Sequence, residues 1–511
     1  MALSRTRWHL LVLGLVAVGL RLPFLGDQPY TDEGLYAAAA YFDHLAYTGV
    51  LGAEGWLVPK DGYLGLYALL TSWVYFLPWE PFFLLRLVDA IFAAAAGIAA
   101  YRFLAIAFND RAVALVSALL FVLAVNHPVF INAGYKNSIM VAMTLTALAL
   151  SSLHSGDAKA CFRAGLFMAG AVLFREFFLP IAATVAFYSI VRCGWIGFLR
   201  FVAAGSVLAF GVLATVVTLR GEGGLGALIN SYVEYSGTFP DKTGLEMASK
   251  QGLIAVDLLL PLFPGVCIGL IAPVLSSQCR GRANLQLYVL GILLAISPAL
   301  EIWFKAPFPY HFSQSALGLT VLFASGLQQA VNFFRRQHAV HKLAIAVVAS
   351  IALSANLLLF NGYAHQYYWQ ANSAIRFAPV MLMGDWTSDA TELSVYLRAA
   401  RTVRENSSPS ATMLTEFNNL GLFPLTARLP SAAGTGAIGR VLQRSDHSVR
   451  EAEMAKLVNT PPDVLVLMPR TLVREDLDTF TRELTSRYTR RISQARGLPP
   501  YGGWSAEIYL R

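Results

Sequence analysis

The sequence predicts a polytopic α-helical membrane protein with a C-terminal α/β domain, and three observations predict it. The chain is 56% hydrophobic and only 14% charged, where soluble domains carry about 25% charged residues. Apolar stretches close to the roughly 20 residues needed to cross a bilayer recur from Trp8 to Phe360. From about Asp385 onward the composition turns polar. In hydrocarbon every backbone polar group must be paired within its own segment, so the apolar stretches are expected to be helices.

The expected spans are Trp8–Phe24, Phe82–Phe108, Ala112–Val125, Asn137–Leu153, Phe162–Phe174 and Phe177–Val191, followed by Ile196–Leu219, Leu253–Ile271, Leu285–Phe304, Phe312–Val331 and Leu343–Phe360. That is about eleven by a window of roughly 20 residues. The two short spans on either side of Arg175 are also compatible with one longer helix. Arg5 and Arg7 precede the first apolar run as they would in a signal peptide, but no small-residue cleavage site follows, so a retained span is expected. Gly62–Leu77, rich in Trp and Tyr, reads as an interfacial or re-entrant helix.

With the N-terminus inside, Arg111, Lys159 and Arg163, Arg192 and Arg200, Arg280 and Arg282, and Arg335, Arg336 and Lys342 all fall on the cytoplasmic side. Basic residues prefer that side, and a wrong span count would scramble the pattern. The loop 26–81 and everything after Asn361 then face out. The expected domains are a transmembrane part over 1–361, with interfacial helices in loop 26–81, and an outer-face α/β part over 362–511. In the tail, Glu392–Glu405 and Leu472–Tyr488 read as helices. Ala411–Phe417, Asp463–Met468 and Ala506–Leu510 read as strands.

The net charge of +8 is explained by residues flanking spans, and no nucleic-acid motif is present. Cys161, Cys193, Cys267 and Cys279 fit no zinc or redox spacing. There is no P-loop or dinucleotide fingerprint, so no nucleotide cofactor is expected. A divalent metal is left open. His44 is a weak metal candidate without a partner in sequence. Asn406-Ser-Ser408 matches a glycosylation acceptor, a motif common by chance.

Polar groups at membrane depth are costly and therefore candidates for function. In this topology they collect on the outer side. Asp32 and Glu33 follow the first span, and Lys60 lies later in the same loop. Arg86 and Asp89 begin the second span, and Lys136 precedes the fourth. Arg175 and Glu176 lie between the short spans, and Lys305, Tyr310 and His311 come before the tenth. A carboxylate pair facing several cations in one layer suits transfer of a phosphate-linked group. A carboxylate at Asp32 can take the proton of an attacking hydroxyl, although Thr31 and Asp32 also make good helix caps. Arg175 can grip a phosphate through two hydrogen bonds, or close two helices as an ion pair with Glu176. Lys305, Tyr310 and His311 suit phosphate or sugar binding, or interfacial anchoring. Lys136 suits snorkelling. Arg86 and Asp89, three apart, can pair on one helix face.

These residues, in this order, resemble the GT-C superfamily of integral-membrane glycosyltransferases, closest to its branch of protein O-mannosyltransferases and lipid A aminoarabinose transferases. Asp32-Glu33-x-x-Tyr36 is similar to that branch's Asp-Glu motif. Gly55–Pro59 with Gly65–Leu70 is similar to its interfacial-helix segment, and Leu85–Gly97 to its second span. Phe174-Arg175-Glu176 resembles its Arg-Glu turn, and Lys305–His311 its late Tyr-His region. The resemblance covers residues 5–330. The chain departs from it at Pro59-Lys-Asp-Gly62 and Phe312-Ser-Gln-Ser315, positions that bear on donor and acceptor.

The resemblance implies an inverting transfer from a polyprenyl-phosphate-linked sugar to a hydroxyl of a lipid, glycan or protein. Asp32 would be the catalytic base beside Glu33. Arg175, Lys305 and His311 would be candidates for the donor phosphate, and Lys60, Lys136, Glu176 and Tyr310, from their place in the same outer layer, are further candidates for binding phosphate or substrate. The setting implied is the bacterial inner membrane, with the C-terminal domain in the periplasm. The alternatives are a polymerase or ligase of lipid-linked glycans and a transporter or flippase of glycolipids. Transporters place their charges near the midplane and often show repeats.

Overall fold

The computed structural model describes residues 5–25, 31–50, 66–126, 137–155, 159–220, 282–304, 313–336, 375, 378, 395–415, 421–431, 447–467, 475–494 and 506–511. These fall into two compact units. The first holds the described residues within Met1–Leu22, Val88–Thr215 and Phe239–Trp369. The second holds those within Pro23–Leu87, Val216–Thr238 and Gln370–Arg511.

The first unit is helical. It contains α1 (Arg5–Arg21), most of α4 (Pro81–Phe108), α5 (Arg111–Val125), α6 (Asn137–His154), α7 (Ala160–Phe174), most of α8 (Leu179–Arg220), α9 (Arg282–Phe304) and α10 (Ser315–Arg336). Among the described residues, Thr6–Phe24, Pro81–Phe108 and Leu179–Thr215 are long and apolar enough to cross a membrane, and shorter apolar helices accompany them. The expected spans Leu253–Ile271 and Leu343–Phe360 lie outside the described residues.

Local chemistry fixes the helix ends. The Asp110 carboxylate accepts from the backbone N–H groups of Ala112 (2.9 Å) and Val113 (3.2 Å) and caps α5, satisfying donors that a helix start leaves open. Arg175 ends α7 in an extended conformation (φ −150°, ψ 102°). A short 3-10 turn, Glu176–Phe178, follows before α8 begins. The segment around Arg175 is therefore two helices rather than one. α8 is itself broken at Gly194 (φ 70°, ψ −175°), a left-handed conformation that an L side chain would strain. This break falls between the expected spans Phe177–Val191 and Ile196–Leu219.

Without a hydrophobic drive between helices in lipid, small residues let backbones approach. Gly165 of α7 faces the Phe201 backbone of α8, and Gly318 of α10 faces α9 at Leu294 and Ala295. A Cβ at either position would overlap these atoms.

One polar cluster lies inside this unit. Arg21 at the end of α1 forms an ion pair with Asp89 of α4 and donates from Nε to the Asn126 side-chain oxygen after α5. The exposures of Arg21 and Asp89 are 7% and 1%. Asp89, which sequence spacing lets pair with Arg86 along one helix face, is held between helices by Arg21, which reaches the carboxylate from α1. Asp89→Ala is expected to cost about 3–5 kcal/mol by leaving the Arg21 charge buried and uncompensated. Replacing both partners, Arg21→Met with Asp89→Leu, is expected to recover most of that. Thermal unfolding in detergent checks this, and a single variant as stable as the parent would exclude it.

The second unit joins residues of the segment 23–87 to the tail. It contains α2 (Thr31–Tyr47), α3 (Leu66–Thr71) with the 3-10 turn Ser72–Phe76, and the first residues of α4. The tail supplies α11 (Val395–Asn406), β1 (Thr412–Thr415), α12 (Leu422–Thr426), β2 (Leu429–Pro430), α13 (His447–Asn459), β3 (Val464–Leu467), α14 (Glu475–Thr485), β4 (Arg490–Gln494) and β5 (Ala506–Leu510). The strands form one mixed sheet in the order β2-β1-β3-β5-β4. β1 runs parallel to β2 and β3, and β5 runs antiparallel to β3 and β4.

Side chains alternate across the sheet, as strand geometry requires. Met413, Val464, Val466 and Ile508 join a core with α11, α12 and α2. Leu414, Leu465 and Leu467 join a second core with Leu457 of α13 and Phe480 of α14. The central β3 is buried along its whole length, which suits its uninterrupted run Val-Leu-Val-Leu. Both expected tail helices and all three expected strands are present, Ala506–Leu510 with the expected ends and the others with slightly different ones. α12, α13, β2 and β4 were not expected. β2 pairs over two residues and β4 is partly exposed, so neither carries a strong alternation signal.

Candidate functional site

α2 begins at Thr31, so Asp32 and Glu33 lie in its first turn. Their side chains, like that of Glu176, are outside the described residues. Lys60, Lys136, Lys305, Tyr310 and His311 also lie outside them. Of the expected donor-binding residues, Arg175 is the one whose side chain is described.

α2 is held in the second unit mainly by aromatic contacts. The Tyr75 hydroxyl donates to the Ala37 carbonyl oxygen (2.7 Å). The Tyr36 ring lies 6.4 Å from that of Tyr67, the Tyr41 ring 5.3 Å from Tyr75, and the Phe42 ring 5.1 Å from Phe423. Such tilted and edge-on pairs are favoured by the charge distribution of the rings. Burial pushes the Tyr41 hydroxyl up to about 12, against the opposing pull of the Arg428 charge. Burial, with the Glu80 and Tyr41 charges adding, holds Tyr75 well above its ordinary value. Both phenols are neutral at physiological pH, and Tyr75 acts as a donor.

His44 packs its ring against Phe76 (4.5 Å) and Tyr75 (5.7 Å). Its Nδ1 is buried with no hydrogen-bond partner among the described residues. Burial lowers its pKa below the ordinary 6.5. A group depressed in this way stabilises the fold above its unfolded pKa, and that contribution is lost as pH falls through the folded value. Stability is thus expected to drop as pH falls below 6.5, with a flatter profile in His44→Phe. Unfolding temperatures of both proteins across that range provide the check, and parallel profiles would contradict it. Among the described residues no group of three His, Cys, Asp or Glu side chains is placed to hold a metal.

Arg86 in the first turns of α4 is 2% exposed and donates from Nη1 to the Leu25 carbonyl oxygen (3.2 Å). It fastens the chain where it leaves α1 for α2. Arg175 belongs to the first unit and is fully buried. Its guanidinium carbon lies 4.5 Å from the centre of the Phe177 ring, a cation–π contact that retains charge in an apolar setting. The helix break holds Arg175 in this position. Its backbone N–H closes onto the Ala171 carbonyl, and its own carbonyl accepts from Phe178, each at 2.9 Å. A buried guanidinium held this way can receive a phosphate with little reorganisation.

Nothing in the spacing of the sequence singles out Arg21 as the partner of Asp89, or Tyr75 and Phe423 as contacts of α2, because the partners lie far apart in the chain.

No protein-family model matches this chain, and no curated protein matches it. Among solved structures it is similar to the crystal structure of ArnT from Cupriavidus metallidurans bound to undecaprenyl phosphate. The identity is 14%, the match covers 99% of this chain and 98% of that one, and the TM-score is 0.60. At that identity the likeness is one of fold, and this chain carries the fold of ArnT over nearly its whole length.

Proposed function

We propose that this protein is a membrane glycosyltransferase that moves a sugar from a polyprenyl-phosphate carrier to an acceptor hydroxyl at the outer face. The observation that carries the reading is the end-to-end likeness in fold to ArnT, whose crystal structure holds undecaprenyl phosphate. The resemblance of Asp32-Glu33, Arg175-Glu176 and Lys305–His311 to GT-C motifs supports it independently. The buried Arg175 supports a site for an anionic group.

In this reading the donor's polyprenyl phosphate is the leaving group. Arg175, with Lys60, Lys136, Lys305, Tyr310 and His311, neutralises the charge that develops on it, and Glu176 orients Arg175. Asp32, with Glu33 beside it, takes the acceptor's proton as its oxygen attacks the anomeric carbon and inverts it. The C–O bond to the phosphate breaks as the new glycosidic bond forms, and the carrier leaves as polyprenyl phosphate. The chemistry needs no nucleotide. The chain sits in the inner membrane with its N-terminus inside and residues 362–511 outside.

The test is reconstitution of the purified full-length chain in liposomes with radiolabelled polyprenyl-phosphate sugars. Release of polyprenyl phosphate with sugar appearing on an acceptor is expected. Movement of the intact glycolipid across the bilayer without cleavage would replace the transferase with a flippase.

A further inference from the structure

We infer that the C-terminal α/β part is the positioning platform of α2, and that Phe423 is the residue through which it sets the place of Asp32. The inference rests on the catalytic role proposed for Asp32.

An independent outer domain would close its own core and present a polar face to the loop. Instead, Ala38, Tyr41 and Phe42 of α2 share one continuous core with Leu397 of α11, Met413 of β1 and Phe423 of α12. Phe42 and Phe423 are both fully buried, and their rings meet edge-on at 66°.

α12 is short, but it is firmly fixed. Ala427 turns the chain in a left-handed conformation (φ 53°) directly after it. Arg428 then donates to the carbonyl oxygens of Thr426 (2.8 Å), Ser407 (2.8 Å) and Arg404 (3.2 Å) and to the Ser407 hydroxyl (2.9 Å). These bonds tie the turn after α12 to the end of α11, and α11 packs on the sheet. Phe423 is therefore presented to α2 by a braced segment.

The lever is long. Ten residues separate Phe42 from Asp32, which is about 15 Å along a helix at 1.5 Å per residue. A tilt of about 4° at Phe42 would move the first turn of α2 by about 1 Å, and a misplacement of that size can reduce turnover about 100-fold. The Tyr75–Ala37 hydrogen bond braces the same helix from the loop side.

The experiment uses the full-length chain and compares Phe423→Ala, Phe423→Leu, Phe42→Ala and the Phe42→Ala/Phe423→Ala double variant, with Asp32→Asn alongside. Turnover and binding of undecaprenyl phosphate are measured separately. Phe423→Ala is expected to lower kcat about 10- to 100-fold while undecaprenyl phosphate binding stays within about twofold. The double variant is expected to be no worse than Phe42→Ala, since both act through one contact. Where Phe423→Ala does not fold, Phe423→Leu is read. It keeps apolar volume but loses the ring contact, and a kcat loss of about threefold or more is expected with binding intact. Parental kcat per folded enzyme in the Phe423 variants, or binding that falls in step with kcat, would overturn the platform. If Asp32→Asn itself turns over normally, the catalytic reading fails. If Asp32→Asn is inactive and the Phe423 variants are normal, only the platform fails.

Discussion

Asp32→Asn is expected to abolish sugar transfer while leaving the protein folded, inserted and able to bind undecaprenyl phosphate. Asn matches Asp in shape and is an equally good residue for the start of a helix, so α2, which begins at Thr31, should keep its first turn. In the proposed mechanism, what is removed is the proton acceptor. A positioned general base contributes about 10²- to 10⁴-fold, and a hydroxyl nucleophile without one is weak. The start of α2 also places Asp32 where the helix dipole favours a negative charge. Glu33→Gln is expected to have the smaller effect of a neighbour. The measurement is turnover under saturating donor, with donor binding determined separately. Asp32→Asn within tenfold of the parent would sink the assignment.

The second large effect is expected at Arg175. Arg175→Ala should weaken donor binding and lower kcat together, because the charge that meets the leaving phosphate grows in the transition state. Removing one preorganised donor of this kind costs about 10²- to 10³-fold in kcat. Arg175→Lys should fall between, since an ammonium keeps the charge but not the planar fork that grips two oxygens. The surroundings sharpen this expectation. The guanidinium is buried against Phe177 and carried by a break between two helices, so a shorter cation has little freedom to compensate. If Arg175→Ala lowered stability but left turnover per folded molecule and undecaprenyl phosphate affinity unchanged, Arg175 would be a structural ion closing the α7–α8 turn.

The carboxylate and the guanidinium differ in how far sequence could lead. Asp32-Glu33 is a local motif at a helix start, and its placement in the first turn of α2 follows from Thr31 and the apolar run behind it. Arg175 was ambiguous, because an apolar stretch interrupted by one charged pair reads equally as one helix or two. The extended conformation of Arg175 resolves that, and a dihedral angle at one residue leaves no periodic trace. The Arg86–Asp89 spacing invited a pairing along one helix. Arg21 pairs with that carboxylate, and a partner on another helix is invisible to spacing rules that see only neighbours in sequence.

The sequence by itself predicted apolar helices long enough for membrane spans followed by a small α/β tail, and the described residues carry elements of both. Hydrocarbon tolerates no unpaired backbone, so length and composition predict apolar helices, short apolar runs predict β1 and β3, and alternation predicts β5. The tertiary structure alone decided that the loop helix α2 and the tail share one core. More than 300 residues separate Phe42 from Phe423. Their contact depends on ring shape and burial rather than on any local pattern, and no periodicity in the chain encodes it.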